Sequence, residues 1–140
     1  MADQGQVGIN RIYLKDLSFE SPNAPDVFRK PFQPEIRVDV SVRHDAVETN
    51  VYEVCVVATD TGTQEGKKSF VVEVEQAGLF QIQGVPSEHM NHVLKIFCPN
   101  ILFPYARQAI DNAMVSGSFP ALGLPPFNFE GLLRPPTKPD

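Results

Sequence analysis

This chain of 140 residues carries little that chemistry could use. It has no Gly-x-x-x-x-Gly-Lys-Ser/Thr loop to hold a triphosphate, and its nine glycines are too scattered for a dinucleotide fingerprint. An ATP-driven function is therefore disfavoured. Basic residues are scarce, 12 against 17 acidic ones, for a net charge of −5 and a pI near 5.1. Nothing here builds the positive stripe that phosphate backbones require, so no nucleic-acid partner is expected. Two cysteines, Cys55 and Cys98, lie far apart and cannot form a disulfide framework; they read as thiols of a reducing compartment. No apolar run approaches the roughly 20 residues of a membrane span. Met1 to Gly8 lacks the basic and apolar regions of a signal peptide. The expectation is a cytoplasmic protein of one domain, without direct membrane insertion.

Reactive groupings are equally thin. His89 and His92 stand at i, i+3 with Cys98 nearby, but the set lacks a recognisable metal-ligand spacing and a fourth ligand. A Cys98 nucleophile assisted by His92 is opposed by its apolar neighbours Phe97, Ile101 and Leu102. Asp16 and Glu20 read as a solvated acidic face, not as paired catalytic acids. No metal, cofactor or enzymatic activity is expected.

What the sequence does contain is alternation, and then helical periodicity after about residue 86. Leu17 and Phe19 point one way while Asp16, Ser18 and Glu20 point the other, because strand side chains alternate faces. A long connection carrying Phe28 and Phe32 comes next, its four prolines removing backbone donors up to Pro34. Ile36, Val38, Val40 and Val42 alternate with charged and polar residues on a second strand, and Tyr52, Val54, Val56 and Ala58 continue the pattern on a third. Thr59 to Lys68, with Gly62 and Gly66, reads as a hairpin loop. A fourth strand buries Phe70, Val72 and Val74 and turns Val71, Glu73 and Glu75 outward, and Leu79 to Ile82 reads as a short extended piece after it. The pattern predicts an α+β fold, a four-stranded antiparallel sheet with one wet face and helices packed on the other.

Ser87 is a candidate cap for a short helix with Met90, Val93, Leu94 and Phe97 on one face. A longer helix is expected from an Asn100 cap to a Gly117 stop, with Pro104 tolerated in its first turn. Ile101, Leu102, Tyr105, Ala106, Ala109, Ile110, Ala113 and Met114 form two apolar rows, wider than one sheet face needs. The second, alanine-rich row suggests packing against another subunit; the alternative is deeper burial within its own fold. From Phe119 onward the chain is proline-rich yet apolar, too broken for a core of its own. Over the Phe28 to Phe32 connection it would form an apolar trough, unless its residues simply complete the core. Asn128 can cap one short helical turn.

Several blocks resemble the SecB family of export chaperones: Arg11-Ile12-Tyr13-Leu14-Lys15-Asp16-Leu17-Ser18-Phe19-Glu20-Ser21-Pro22-Asn23-Ala24-Pro25, Val51-Tyr52-Glu53-Val54, and Glu73-Val74-Glu75-Gln76-Ala77-Gly78-Leu79-Phe80. Cys98-Pro99-Asn100-Ile101-Leu102-Phe103-Pro104-Tyr105-Ala106-Arg107, Phe119-Pro120 and Asn128-Phe129 complete the set in the family's order. The resemblance implies a dimer of dimers whose long helices are sandwiched between sheets, so that the eight apolar helix residues would be an oligomer interface. It implies a nucleotide-independent chaperone that captures unfolded secretory precursors in apolar grooves and passes them to the SecA motor. Carried over by position, the groove would use Phe19, Phe28, Phe32, Leu122, Leu124 and Phe129, and SecA contact would use Asp16, Glu20, Val71 and Glu73. The family's zinc belongs to the partner, not to this chain.

The expected organisation is a frayed segment over 1–10, a SecB-like domain over 11–133 with a short C-terminal helical segment, and a flexible tail over 134–140. That tail departs from better-known members, which continue into a longer helix and an acidic second contact with the motor. Phe32 stands where the family often has tryptophan. Two rivals remain: a SecB-like chaperone dedicated to one client such as an antitoxin, and a small enzyme or ligand-binding protein on a similar sheet, for which no converging polar pocket is visible.

Overall fold

Alternation persists through four strands, which pair as one antiparallel sheet in the order β1-β4-β3-β2. The structure, a computed structural model, describes residues 5–133. The strands are β1 (Gln6–Glu20), β2 (Glu35–Glu48), β3 (Val51–Gln64) and β4 (Lys67–Gln83). The first begins earlier than expected: Gln6 pairs with Gln83 and Val7 with Ile82, so residues 6–10 are strand where a frayed segment was anticipated. The 134–140 tail lies outside the described residues.

Two bulges, at Ile9/Arg11 and Leu14/Asp16, keep β1 in phase with its partner. Each adds one residue and so reverses which face the succeeding side chains take. Without them the run Val7, Ile9, Ile12, Leu14, Leu17, Phe19 could not share one face. With them all six line up with Ile82, Phe80, Gly78, Gln76, Val74 and Val72 of β4 on the inner side.

The expected loop over Thr59 to Lys68 is a tight hairpin instead. Pairing runs to Gln64↔Lys67, and Glu65 and Gly66 turn with φ of 52° and 76°, the twist that right-handed strands favour. Gly62 is not a turn glycine; a Cβ there would lie 2.3 Å from the Phe70 ring, so its absence makes room for that ring. Likewise Leu79 to Ile82 is no separate piece but the end of a 17-residue β4.

The helical half is also more continuous than expected. The helix α1 (Ser87–His92) runs into a π-helical turn over Val93–Phe97 and then into α2 (Cys98–Ser116). Ser87 makes no side-chain cap, and Asn100 lies inside α2 and does not start it. The reason is Pro99: it has no N–H for the Lys95 carbonyl, and the run widens so that the Cys98 N–H donates to the Val93 carbonyl, five residues back. Pro104 therefore sits within the helix.

At the other end α2 stops near Gly117, but the left-handed residue is Ser118, with φ of 69°. The Phe119 N–H donates to the Met114 carbonyl and the Ser118 N–H to the Val115 carbonyl, a six-to-one capping pattern that folds Phe119 back onto Met114. Gly117 makes room for Phe19, whose ring would lie 2.3 Å from a Cβ. A short helix α3 (Glu130–Leu133) begins after Asn128, whose Oδ1 accepts from the Glu130 N–H at 3.1 Å as expected of a cap.

The inner face carries two apolar clusters. One gathers Ala58, Phe70, Val72 and Val74 with Ala106, Ile110, Met114 and Phe119. The other gathers Val54, Val56, Phe80 and Ile82 with Leu94, Ile96, Leu102, Phe103 and Phe129.

Candidate functional site

Phe119 is the hub of the first cluster. Its ring lies 5.3 Å from Phe28, 5.3 Å from Phe32, 5.5 Å from Phe70 and 6.2 Å from Phe19, all in tilted arrangements that suit aromatic quadrupoles. Leu122 and Leu124 pack half-buried against the same cluster. Five of the six expected groove residues therefore meet at one place, around Phe119, which is not one of the six. Phe129 does not join them. It is buried in the second cluster, edge-on to Phe103 and Phe127 at 5.9 and 4.8 Å. Phe28 is the open member, 49 % exposed.

Hydrogen bonds set the walls. Gln64 donates to the Pro31 carbonyl at 3.1 Å and accepts from the Gln33 N–H at 3.2 Å, and Lys30 reaches Glu65 at 2.8 Å, so the β1–β2 crossover is fastened to the β3–β4 hairpin. On the other side, Asp111 Oδ1 accepts from the Leu122 and Gly123 N–H groups at 3.0 and 3.2 Å, and Arg107 donates to the Leu124 carbonyl at 3.3 Å. Arg107 and Asp111 stand on the polar edge of α2. Their work is to strap residues 119–124 across the aromatic cluster.

The outer face of the sheet is polar. Register places Asp16 beside Glu75, Ser18 beside Glu73 and Glu20 beside Val71, so Asp16, Glu20, Val71 and Glu73 do share one patch. Arg43 neutralises Glu75 at 2.7 Å. Further along the same face, Lys15 and the Tyr13 hydroxyl both engage Glu53, which holds that carboxyl below its usual range. Burial and the Glu53 contact push Tyr13 up to about 12, so it remains a donor.

The eight apolar residues of α2 divide. Leu102, Ala106, Ile110, Ala113 and Met114 face their own sheet and are buried, so for them deeper burial within the fold replaces the expected subunit contact. Ile101, Tyr105 and Ala109, spaced by four, form the outward row. Tyr105 and Ala109 face Ile12, Leu14 and Leu17 across a shallow trough of about 410 Å³. Leu14 is 47 % and Leu17 42 % exposed there, a mainly apolar strip on the β1 edge of the sheet, with Gln76, Gln108 and Asn112 also in its lining.

The reactive candidates separate. Burial pushes the Cys98 thiol up to about 12, opposite to what a nucleophile needs. His89 and His92 line a hollow with Val7, Val93 and Phe97, and no cluster of three or more metal-ligating side chains occurs among the described residues. No helix of the described residues is long and apolar enough to cross a membrane.

A four-stranded antiparallel sheet with one long helix across its inner face is the architecture of a SecB-like chaperone. A Mycobacterium tuberculosis SecB-like chaperone, solved in complex with a peptide from an antitoxin, shares it with a TM-score of 0.71, covering 89 % of this chain and 91 % of that one. At 18 % identity that likeness concerns the fold. The sequence comparisons go further. The family model "Preprotein translocase subunit SecB" matches residues 1–138. Protein-export protein SecB of Chromohalobacter salexigens is 51 % identical over 132 residues, 93 % of this chain and 80 % of that protein. Its namesake in Legionella pneumophila is 47 % identical over 130 residues, again 93 % and 80 %, and that of Pseudomonas savastanoi 48 % over 127, or 91 % and 78 %. This chain belongs to the SecB family of protein-export chaperones. The antitoxin-dedicated alternative is not favoured, since relatives named for export stand at 47–51 % identity.

Proposed function

We propose that this chain acts in the cytoplasm as a homotetramer, a dimer of dimers, which holds unfolded secretory precursors without nucleotide and delivers them to the SecA motor. The observation that carries this reading is the Phe119-centred cluster: Phe28, Phe32 and Phe119 on two connections gather with Phe19 of β1 and Phe70 of β4 around the Phe119 ring, and Phe28 is half exposed. Unfolded chains expose scattered apolar side chains, and an adaptable aromatic surface accepts many such segments weakly. Several subunits then raise avidity. Phe19, Phe28, Phe32, Leu122 and Leu124 serve as groove, while Phe129 supports it from the second cluster.

Asp16, Glu20, Val71 and Glu73 serve as the SecA-docking patch. Their common outward face and net acidity suit a basic partner segment and a salt-dependent encounter. Ile101, Tyr105 and Ala109, with Leu14 and Leu17, serve as the subunit contact; an uncovered apolar strip of this kind is what an isologous interface needs. The domain takes in β1 from Gln6 and extends to residue 133.

The test is refolding of a slow-folding precursor diluted from denaturant into this protein without nucleotide. Arrest of refolding, with release on adding SecA, is the expected result. Refolding at the spontaneous rate contradicts the reading.

A further inference from the structure

Asp60 is out of keeping with its surroundings. It lies on the inner face of β3 between Ala58 and Gly62, in register with Val38 of β2 and Val72 of β4, and it is fully buried. Neither of its carboxylate oxygens has a hydrogen-bond partner among the described residues. Buried carboxylates are normally paired, because an ion removed from water without compensation is costly. Here the charged groups near it are both acidic: Asp111 on α2 and Asp39 on β2. Val72 of β4 and, beyond it, Phe19 of β1 offer only apolar surface, and Ala58 and Val72 beside Asp60 belong to the cluster on which Leu122 and Leu124 of the strap pack.

Asp111 is also the residue that tethers the strap, through the Leu122 and Gly123 N–H groups. The charge of the latch carboxylate therefore opposes ionisation of the orphan carboxyl, and that same carboxylate holds the segment that covers the aromatic cluster.

We propose that Asp60 is a proton-operated release for the strap over residues 119–124: protonated, it lets the strap lie closed on the Phe119 cluster; ionised, it drives the strap open. The inference rests on the reading of that cluster as the client surface. Burial first, then the charges of Asp111 and Asp39, push the Asp60 carboxyl up to about 6. An opened strap admits water to it, and its pKa returns toward the ordinary range of about 4. The open form therefore binds fewer protons, and rising pH favours opening. Near neutral pH the strap is held under electrostatic strain, ready to yield to a client.

The test needs no client. Amide hydrogen exchange at Leu122 and Gly123, monitored by NMR on the intact protein and expressed as protection factors, reads strap opening directly. Two pKa values about two units apart predict a protection roughly fourfold lower at about pH 7.5 than at about pH 5.5. Asp60→Asn and Asp60→Val should both abolish that slope and raise protection at the higher pH, while Val72 and Val74 keep theirs without a matching slope. A flat profile in the parent protein, or the same slope in both variants, overturns the proposal. If the slope holds yet the protein fails to arrest refolding, the client reading falls and the strap device stands.

Discussion

The two apolar clusters on the inner face are built from similar residues and differ in what covers them. The cluster around Phe129 is sealed: Phe80, Leu102 and Phe129 are buried, Phe103 and Phe127 clamp Phe129, and a continuous helical run from Ser87 closes over it. The cluster around Phe119 is provisional. It is roofed by two connections, leaves Phe28 half exposed, and encloses a carboxyl without a partner. Protein cores seldom accept such a group without a reason. On the proposed reading, the Phe129 cluster is fixed core, while the covering of the Phe119 cluster is the part that rearranges.

That contrast can be broken by substitution, and the largest effect belongs to the sealed side. Phe80→Ala should cost about 3–5 kcal/mol through lost burial and a residual cavity, read by urea denaturation. If it costs under about 1 kcal/mol, the sealed cluster is not the fold's foundation. On the provisional side one substitution should do the reverse. Asp60→Val should stabilise the protein, by about 2–3 kcal/mol near pH 7.5. The sign comes from a folded pKa above the unfolded one: the parent's stability from this group is complete below about pH 4 and declines as pH rises through about 6. The variant's advantage should therefore shrink toward acidic pH in paired denaturation curves.

Smaller effects separate binding from stability. Phe28→Ala should alter stability by less than about 1 kcal/mol, because the side chain is half exposed, yet weaken capture of an unfolded precursor about tenfold. A binding loss matched by an equal stability loss would return Phe28 to the core. On the outer face, Glu73→Lys should leave stability within about 0.5 kcal/mol and slow association with SecA at low salt, an effect that added salt removes. Stopped-flow association at two ionic strengths reads it; a salt-independent loss would mean that Glu73 acts through structure.

The sheet was legible because a period of two states which face each residue takes, and Ile36 to Val42 and Phe70 to Val74 obey it without interruption. The bulges were not legible, since they appear only as apolar spacings of three at Ile9/Ile12 and Leu14/Leu17 that resemble a helix turn. Gly62 and Gly66 looked like two turn residues, although one makes room for Phe70, and placing a loop there concealed Asp60. Its signal was present: Tyr52, Val54, Val56, Ala58, Asp60 is an apolar row with one acid at its end. Pro99 and Asn100 imitate a helix start because nothing local reveals that a π turn precedes them. The candidate groove positions and the candidate docking patch rest on family resemblance, not on a local pattern. The strap's hydrogen bonds were not legible, because Arg107 and Asp111 act on backbone groups some eleven to seventeen residues away, which no local pattern records.

The most direct test of the central claim is calorimetric titration of this protein with one precursor held unfolded and, separately, with the same precursor folded, in the absence of nucleotide. Binding of the unfolded form alone, weakened by Phe28→Ala and left intact by Glu73→Lys, is the predicted result. Equal indifference to both forms, or equal binding of both, would contradict the account and leave the aromatic cluster as an ordinary core.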